Sequence, residues 1–339
     1  MESKYKFVFD QLKDLKILLI GETILDEYYF VEATGRASKD PVISTRFNYS
    51  EKYPGGILAT ARHISNIVEK THIITMLGEK KSNEGFVRNV LNHDKISYDL
   101  FQKSDSPTII KRRYIAGHTN KIFKMEYIND DPINDKLETE ITNRINDIIK
   151  DFDAVLIADF GHGLLKQKII NKIEKKAKYL AINVQTNSSN YGFNLVHRYP
   201  RADFLSLNPG ELRILFQSRY EDLDLLFDKL ISLKKYNRIL LTRGKKGISY
   251  YDGKEILYSP ALNLTPVDTI GAGDAVFSFS SIMSYLDIKS KILAKLSNAV
   301  GALAVNIVGN KDYVKVEDVF NLLEQFDEEE LDNEHVVSI

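Results

Sequence analysis

Six short apolar runs punctuate the chain: Lys16-Ile17-Leu18-Leu19-Ile20-Gly21, His72 to Gly78, Ala154-Val155-Leu156-Ile157-Ala158, Lys178 to Asn183, Asp203 to Leu207 and Arg238 to Leu241. Runs this short and this continuous predict strands buried on both faces, as in a parallel sheet. Other segments carry apolar residues at helical spacing. Ile57 to Val68 turns Ile57, Ala61, Ile64 and Ile67 inward, and Asn83 to Asn92 and Ile133 to Lys150 follow. Ala275 to Leu286, with Val276, Phe277, Phe279, Ile282 and Met283, and Ile292 to Ile307 complete the set. Strands alternating with helices predict an α/β fold, a three-layer α/β/α sandwich around a mainly parallel central sheet.

Two stretches break the alternation. Tyr28-Tyr29-Phe30-Val31 and Val42 to Phe47 are β-prone, as are Thr108 to Ile115 and Lys121 to Met125. They predict a small β-sheet lid built from segments about 28–53 and 106–127. So thin a sheet needs cover from the main domain or from another subunit, which predicts a homodimer through the lid. The domain is expected to take up 1–326. The acidic run Asp327-Glu328-Glu329-Glu330-Leu331-Asp332 reads as a solvated or disordered tail over 327–339.

Charge narrows the ligands: 46 Lys+Arg against 47 Asp+Glu leave net charge −1, so bulk electrostatics draws the chain toward neither nucleic acid nor anionic membrane. Small phosphorylated ligands stay open, since one or two basic groups can hold them. The absence of cysteine excludes disulfides, thiolate metal sites and a cysteine nucleophile. Met1 to Lys16 has mixed charge and no signal-like apolar core, and no run is long enough to cross a bilayer, so a cytoplasmic location is expected.

The candidate chemistry centres on Asp268-Thr269-Ile270-Gly271-Ala272-Gly273-Asp274. A glycine turn opening a helix presents unpaired N–H groups and the positive end of the dipole, so Gly271, Ala272 and Gly273 can hold an anion. Asp274 beside that anion reads either as a proton acceptor or as a helix cap. Asp26 follows the first strand, where ligands bind in open α/β sheets; it reads as a partner for sugar hydroxyls or as part of a solvated acidic loop. Gly55 and Gly56 allow a backbone to approach a ligand closely. Asn208 and Glu211 have the spacing of a capping box.

The segment 268–274 matches D-T-x-G-A-G-D of the PfkB (ribokinase-like) carbohydrate kinases, and the sequence resembles that family from Ile17 to about Leu323. No G-x-G-x-x-G follows the first strand and no Walker A motif occurs. The resemblance implies ATP-dependent phosphorylation of a sugar hydroxyl, with Asp274 as base and the glycine turn holding the transferred phosphoryl group. It implies that Asn208 and Glu211, as N-x-x-E, organise Mg²⁺ through water together with the nucleotide phosphates. Thr242 and Gly244, from Thr242-Arg243-Gly244-Lys245-Lys246-Gly247, are then expected to line the phosphates and ribose. Asn298 is expected beside the adenine, and Asp268 is the candidate ligand of a monovalent cation such as K⁺.

Within the family, Gly35 to Val42, Pro54-Gly55-Gly56 and the Lys111/Arg113 segment most resemble the heptose 7-phosphate kinase domain of bifunctional ADP-heptose synthases. Asp159-Phe160-Gly161-His162-Gly163 resembles their S-D-Y-x-K-G turn. This implies a sugar phosphate as acceptor, with Asp26, Gly55, Gly56 and Asp159 around the sugar. Lys111, Arg112 or Arg113 then either recognises its phosphate or forms the polar face of a lid strand. The chain departs from the pattern at Ala59, where an asparagine is expected, at His162, where a lysine is more familiar, and at Asn183-Val184-Gln185, where aspartate-proline-lysine is typical. Those departures leave two other readings: another sugar or nucleoside kinase of this fold, or a catalytically weak ligand-binding protein built on it.

Overall fold

The computed structural model describes residues 5–37, 39–117, 120–262 and 265–336, without the side chains of 327–336. Its first strands are β1 (Lys16–Gly21), β2 (Thr23–Arg36), β3 (Ile43–Gly56), β4 (Lys70–Lys80) and β5 (Ile96–Pro107). Next come β6 (Ile109–Ala116), β7 (Asn120–Tyr127), β8 (Ala154–Asp159), β9 (Leu180–Val184) and β10 (Ala202–Leu207). The last are β11 (Tyr236–Thr242), β12 (Ile248–Tyr251) and β13 (Ile256–Ser259). A large sheet runs β13-β12-β11-β10-β9-β8-β1-β4-β5, parallel from β5 to β11 and antiparallel at its β12 and β13 edge.

Alternation within each apolar strand explains why both faces are covered. Ile17, Leu19, Leu156 and Leu240 enter one core, while Leu18, Ile20, Ile157 and Leu241 enter the other. Helices α1 (Lys6–Leu12), α2 (Ile57–Ser65) and α3 (Glu84–Val90) pack into the first core, whereas α4 (Asp135–Ile148), α5 (Gln167–Lys176), α6 (Pro209–Leu215) and α7 (Leu223–Ser232) fill the second. The first face is completed by α8 (Ala272–Tyr285), α9 (Ser290–Ala304) and α10 (Val316–Val336). The layers are therefore α/β/α, as the periodicity predicts.

Several elements lie outside the predicted set. α1 hides in a charged leader although Val8, Phe9 and Leu12 are buried, and α5, α7 and the half-buried edge strand β5 were likewise unread. The acidic run expected as a tail continues the backbone of α10, and its side chains lie outside the described residues, as does Ser38. Among the described residues no helix is long and apolar enough to cross a membrane.

The second sheet is ordered β3-β2-β6-β7. β2 starts just beyond β1, so this sheet rises from the carboxyl end of a central strand of the first. β2 and β6 pair in parallel, setting Asp26 opposite Lys111, Glu27 opposite Arg112 and Tyr28 opposite Arg113. Side chains alternate along each strand, so Asp26, Tyr28, Lys111 and Arg113 share the inner face while Glu27, Tyr29, Arg112 and Tyr114 share the outer one.

Candidate functional site

α8 begins at Gly271, whose φ of 83° is left-handed, and no side chain caps the helix. A methyl group on Gly271 would lie 1.7 Å from Asn310 Oδ1, so the turn requires glycine both for its dihedral and for its contact. Gly273, by contrast, has no heavy atom within 4 Å of where a Cβ would stand. Gly271 and Gly273 line a cavity in front of this uncapped helix start, with the helix dipole aligned behind it.

Asp274 occupies the first turn of α8 and is only 7% exposed. It does not cap the helix; Gln185 Nε2 donates to its Oδ1 at 2.7 Å. Burial pushes its carboxyl up to about 7, and Asp26 pushes the same way, while the Gln185 hydrogen bond and Lys111 oppose them. The group is thus poised between its charged and neutral forms near neutral pH, which suits a proton acceptor.

In front of the turn lies a cavity of about 190 Å³ lined by Asn183, Gln185, Asn208, Glu211, Thr242, Gly271, Gly273 and Asp274, with Ser206, Leu207 and Thr269. Its floor is the carboxyl end of β9, β10 and β11, where a parallel sheet offers residues to ligands. Asn208 and Glu211 form a reciprocal cap on α6: Glu211 N donates to Asn208 Oδ1 at 3.0 Å and Asn208 N to Glu211 Oε2 at 2.8 Å. This cap sets the Glu211 carboxyl at the cavity wall, and burial there pushes its pKa to about 7 against the backbone hydrogen bonds. A buried carboxyl whose pKa is raised by burial fits a divalent cation, which would favour its charged form. Among the described residues no cluster of three acids or histidines forms a complete metal cage. A cation that keeps several waters and takes one or two carboxylates plus phosphate oxygens, as Mg²⁺ does, needs no more protein oxygen than Glu211 offers.

Two expected nucleotide residues are placed elsewhere. Gly244 opens the short turn Gly244–Lys246 and is not part of the cavity wall, for the chain bends away after Thr242. Asn298 spends its amide on Ser259 O at 3.0 Å and Pro260 O at 3.1 Å, pinning the segment after β13 rather than lining the cavity.

On the acceptor side, Asp26 is buried at 4% exposure and ion-paired with Arg113, whose guanidinium also lies over Tyr28. Gly55 sits against it, since a Cβ there would come 2.4 Å from Asp26 Oδ2, and Gly56 precedes α2. Lys111 is 8% exposed and, among the described residues, has no hydrogen-bond partner; burial lowers its pKa, while Asp26 and Glu126 oppose that. Asp26 and Lys111 both act on the ionisation of Asp274, so the structure brings these three together. Arg112 does not join them, because it pairs with Glu27 at 2.8 Å on the outer face.

Asp159 departs from its expected place around the sugar. It is fully buried and accepts from Gly161 N at 2.9 Å, Asn194 Nδ2 at 3.1 Å and Tyr199 OH at 2.8 Å, with Arg198 at 3.5 Å. Glu22, pushed to about 7 by burial and by Asp159, accepts from Phe160 N and His162 N in the same turn. Asp159 is a bolt of the turn. His162 is likewise buried, with Nδ1 at 2.7 Å from Asp130 Oδ1.

Asp268 also differs from expectation. Its carboxylate takes Tyr28 OH at 2.7 Å, Lys121 Nζ at 2.8 Å, Ile270 N at 3.2 Å and Gly309 N at 3.2 Å. Burial opposes ionisation, yet Lys121 and Tyr28 outweigh it and hold the carboxyl below its usual range. Four donors fill the four lone-pair positions of a carboxylate, so the lysine ammonium stands where an alkali cation was expected. Patterning missed Asn183, Gln185 and Lys121; the signal for the first two was a pair of amides two residues apart at the end of an apolar strand.

The pfkB family carbohydrate kinase model matches residues 14–312. Proteins named bifunctional protein HldE are similar: that of Koribacter versatilis is 24% identical over 87% of this chain and 60% of its own length, and that of Campylobacter jejuni subsp. doylei is 25% identical over 87% and 62%. The chain therefore spans about three fifths of these relatives. Among solved structures, a putative ribokinase from Agrobacterium tumefaciens superimposes with a TM-score of 0.74 at 14% identity, covering 93% of this chain and 99% of its own. Arabidopsis thaliana ribokinase, solved with ribose and ATP, gives 0.69 at 16% identity over 91% and 99%.

Proposed function

Because this chain belongs to the pfkB family of carbohydrate kinases, we propose that it moves the γ-phosphoryl group of ATP onto a hydroxyl of a heptose 7-phosphate. The observation that carries the kinase chemistry is Asp274 beside the uncapped amides of α8, at the wall of a cavity that also presents Glu211 and Thr242. The heptose reading is supported by the motif resemblance and by relatives named bifunctional protein HldE.

In the proposed step the acceptor oxygen forms a bond to the γ-phosphorus as the bond from that phosphorus to the β–γ bridging oxygen breaks. ADP leaves, and the hydroxyl proton passes to Asp274. The amides of Gly273 and its neighbours hold the charge spread over the transferred oxygens, in a site that needs no reorganisation. Lys111 and Arg113 line the acceptor side, where an existing phosphate would meet a buried ammonium that has no hydrogen-bond partner among the described residues. Mg²⁺, held by Glu211 with the nucleotide phosphates, would neutralise phosphate charge. ADP release measured across sugars, sugar phosphates and nucleosides tests the reading. The heptose 7-phosphate should give the highest kcat/KM; a better acceptor would overturn the substrate, and no transfer to any acceptor would overturn the kinase.

Glu211→Gln should raise the Mg²⁺ concentration for half-maximal ADP release about tenfold, because the carboxylate's charge is lost while its shape remains. An unchanged Mg²⁺ titration would remove Glu211 from the cation.

The outer face of the second sheet supports a homodimer. Phe47 (56% exposed), Tyr29, Tyr114 and Phe123 (48% exposed) form a row of rings across all four strands, with neighbouring centroids 5.6, 5.4 and 4.3 Å apart. A second copy covering that row would supply the packing a thin sheet lacks. Phe47→Asp should shift the sedimentation coefficient from dimer to monomer; a wild-type protein that sediments as a monomer at micromolar concentration refutes the dimer.

A further inference from the structure

We propose that Gln185 is a positioning residue, whose amide grips one oxygen of Asp274 and leaves the other to face the acceptor hydroxyl. The inference rests on the reading of Asp274 as the base.

The geometry is a relay with no freedom left in it. Gln185 Nε2 has two hydrogens, one directed to Asn183 Oδ1 at 2.9 Å and one to Asp274 Oδ1 at 2.7 Å. The amide cannot be flipped end for end, because Asn183 Nδ2 is committed to Ser206 O at 2.9 Å, so its Oδ1 must accept. The backbone of Gln185 is fastened as well: its N–H donates to Asp159 O at 2.8 Å, and its carbonyl accepts from Asn194 Nδ2 at 3.3 Å. Asn194 Nδ2 also reaches the Asp159 carboxylate. The buried turn that bolts Asp159 in place thereby has a task at the reacting centre, since it fixes the strand end from which Gln185 reaches across to α8.

Gln185 occupies one lone pair of Asp274 Oδ1, so Oδ2, which has no hydrogen-bond partner among the described residues, is the freer oxygen to receive the proton. Gln185 is also a neutral donor. Among the described residues, the charged groups that act on Asp274 are Asp26 from β2 and Lys111 from β6, and Asp274 in turn raises the pKa of Glu211 from α6. Only one of them is a cation. A neutral donor therefore orients the base without suppressing its basicity, whereas a second ammonium would hold it charged and weaken it as a proton acceptor.

The test uses the full chain and variants Gln185→Leu and Gln185→Lys, with Asp274→Asn as a reference. Infrared difference spectra assign the Asp274 carboxyl band by its loss in Asp274→Asn, and follow it between pH 5 and 9 in the protein alone. Leucine should move the titration midpoint up by about 1 pH unit and lysine should move it down by at least as much. In the kinase assay, Gln185→Leu should lose about tenfold or more in kcat with KM for ATP held within about twofold, and the acid limb of kcat should move with the midpoint. An unmoved midpoint in both variants overturns the inference, as does wild-type kcat in Gln185→Leu. If Gln185→Leu does not fold, judged by its thermal transition, Gln185→Lys decides alone. An active Asp274→Asn would sink the reading of the base, yet the infrared midpoints would still report whether Gln185 governs this carboxyl.

Discussion

Asp274→Asn should lower kcat at least ~100-fold while the affinity for ATP stays within about twofold. The substitution keeps the shape of the side chain and can still accept from Gln185, so a loss would reflect the missing proton acceptor alone. The amides of α8 stay intact, which preserves the phosphate seat. Turnover with the best acceptor, together with ATP binding by calorimetry, checks both halves; wild-type turnover would dismiss Asp274 as the base.

The same residue sets an expected pH dependence. Burial pushes its carboxyl up from the ordinary aspartate range to about 7, so kcat should fall as pH drops through about 7 and level off above it. Between about pH 4 and 7 the folded state binds more protons at this residue than the unfolded state, so its contribution to stability declines as pH rises through that window. Asparagine removes the decline. The Tm advantage of Asp274→Asn over wild type should therefore be larger at pH 8 than at pH 5, by about 2–4 °C.

Gly271→Ala is the second large effect. The alanine methyl must adopt a φ of 83° and enter the space of Asn310, 1.7 Å from its Oδ1, so either the turn or Asn310 moves. The strain amounts to about 1–3 kcal/mol, and displacing the amides proposed to hold the phosphoryl group should cost about 100-fold in kcat. Gly273→Ala supplies the contrast. Its methyl enters open space, so Tm should hold or rise slightly while the alanine crowds the nucleotide and raises KM for ATP. Equal kcat in Gly271→Ala and wild type would show that the turn does not hold the reacting group.

What the sequence discloses follows the distance over which each feature is built. The glycine turn that opens α8 and the carboxylate behind it were legible because turn, helix start and carboxylate are consecutive. The central strands were legible because burial on both faces leaves few polar positions, such as Thr75 and Ser206, inside the runs. Gln185 reaches Asp274 across 89 residues, Lys121 reaches Asp268 across 147 and Tyr28 reaches it across 240, and no local pattern records such pairings. Asp159 shows the converse. Its position at a strand end suits a ligand, yet Tyr199 and Asn194, which consume its oxygens, lie tens of residues downstream. Arg112 was separable from Lys111 and Arg113 only once the pairing of β2 with β6 gave the strand two faces.

If the second sheet opens as a lid, the carboxylate of Asp268 would couple that opening to the proposed phosphoryl site. Tyr28 and Lys121 belong to the second sheet, while Ile270, whose amide shares the same carboxylate, immediately precedes the glycine turn proposed to seat the phosphoryl group. Swinging that sheet outward means breaking two charge-assisted contacts and loosening the seat in the same movement. Departure of the phosphorylated sugar and slackening of the hold on ADP then become one kinetic event, so added viscogen should slow both product release steps in parallel.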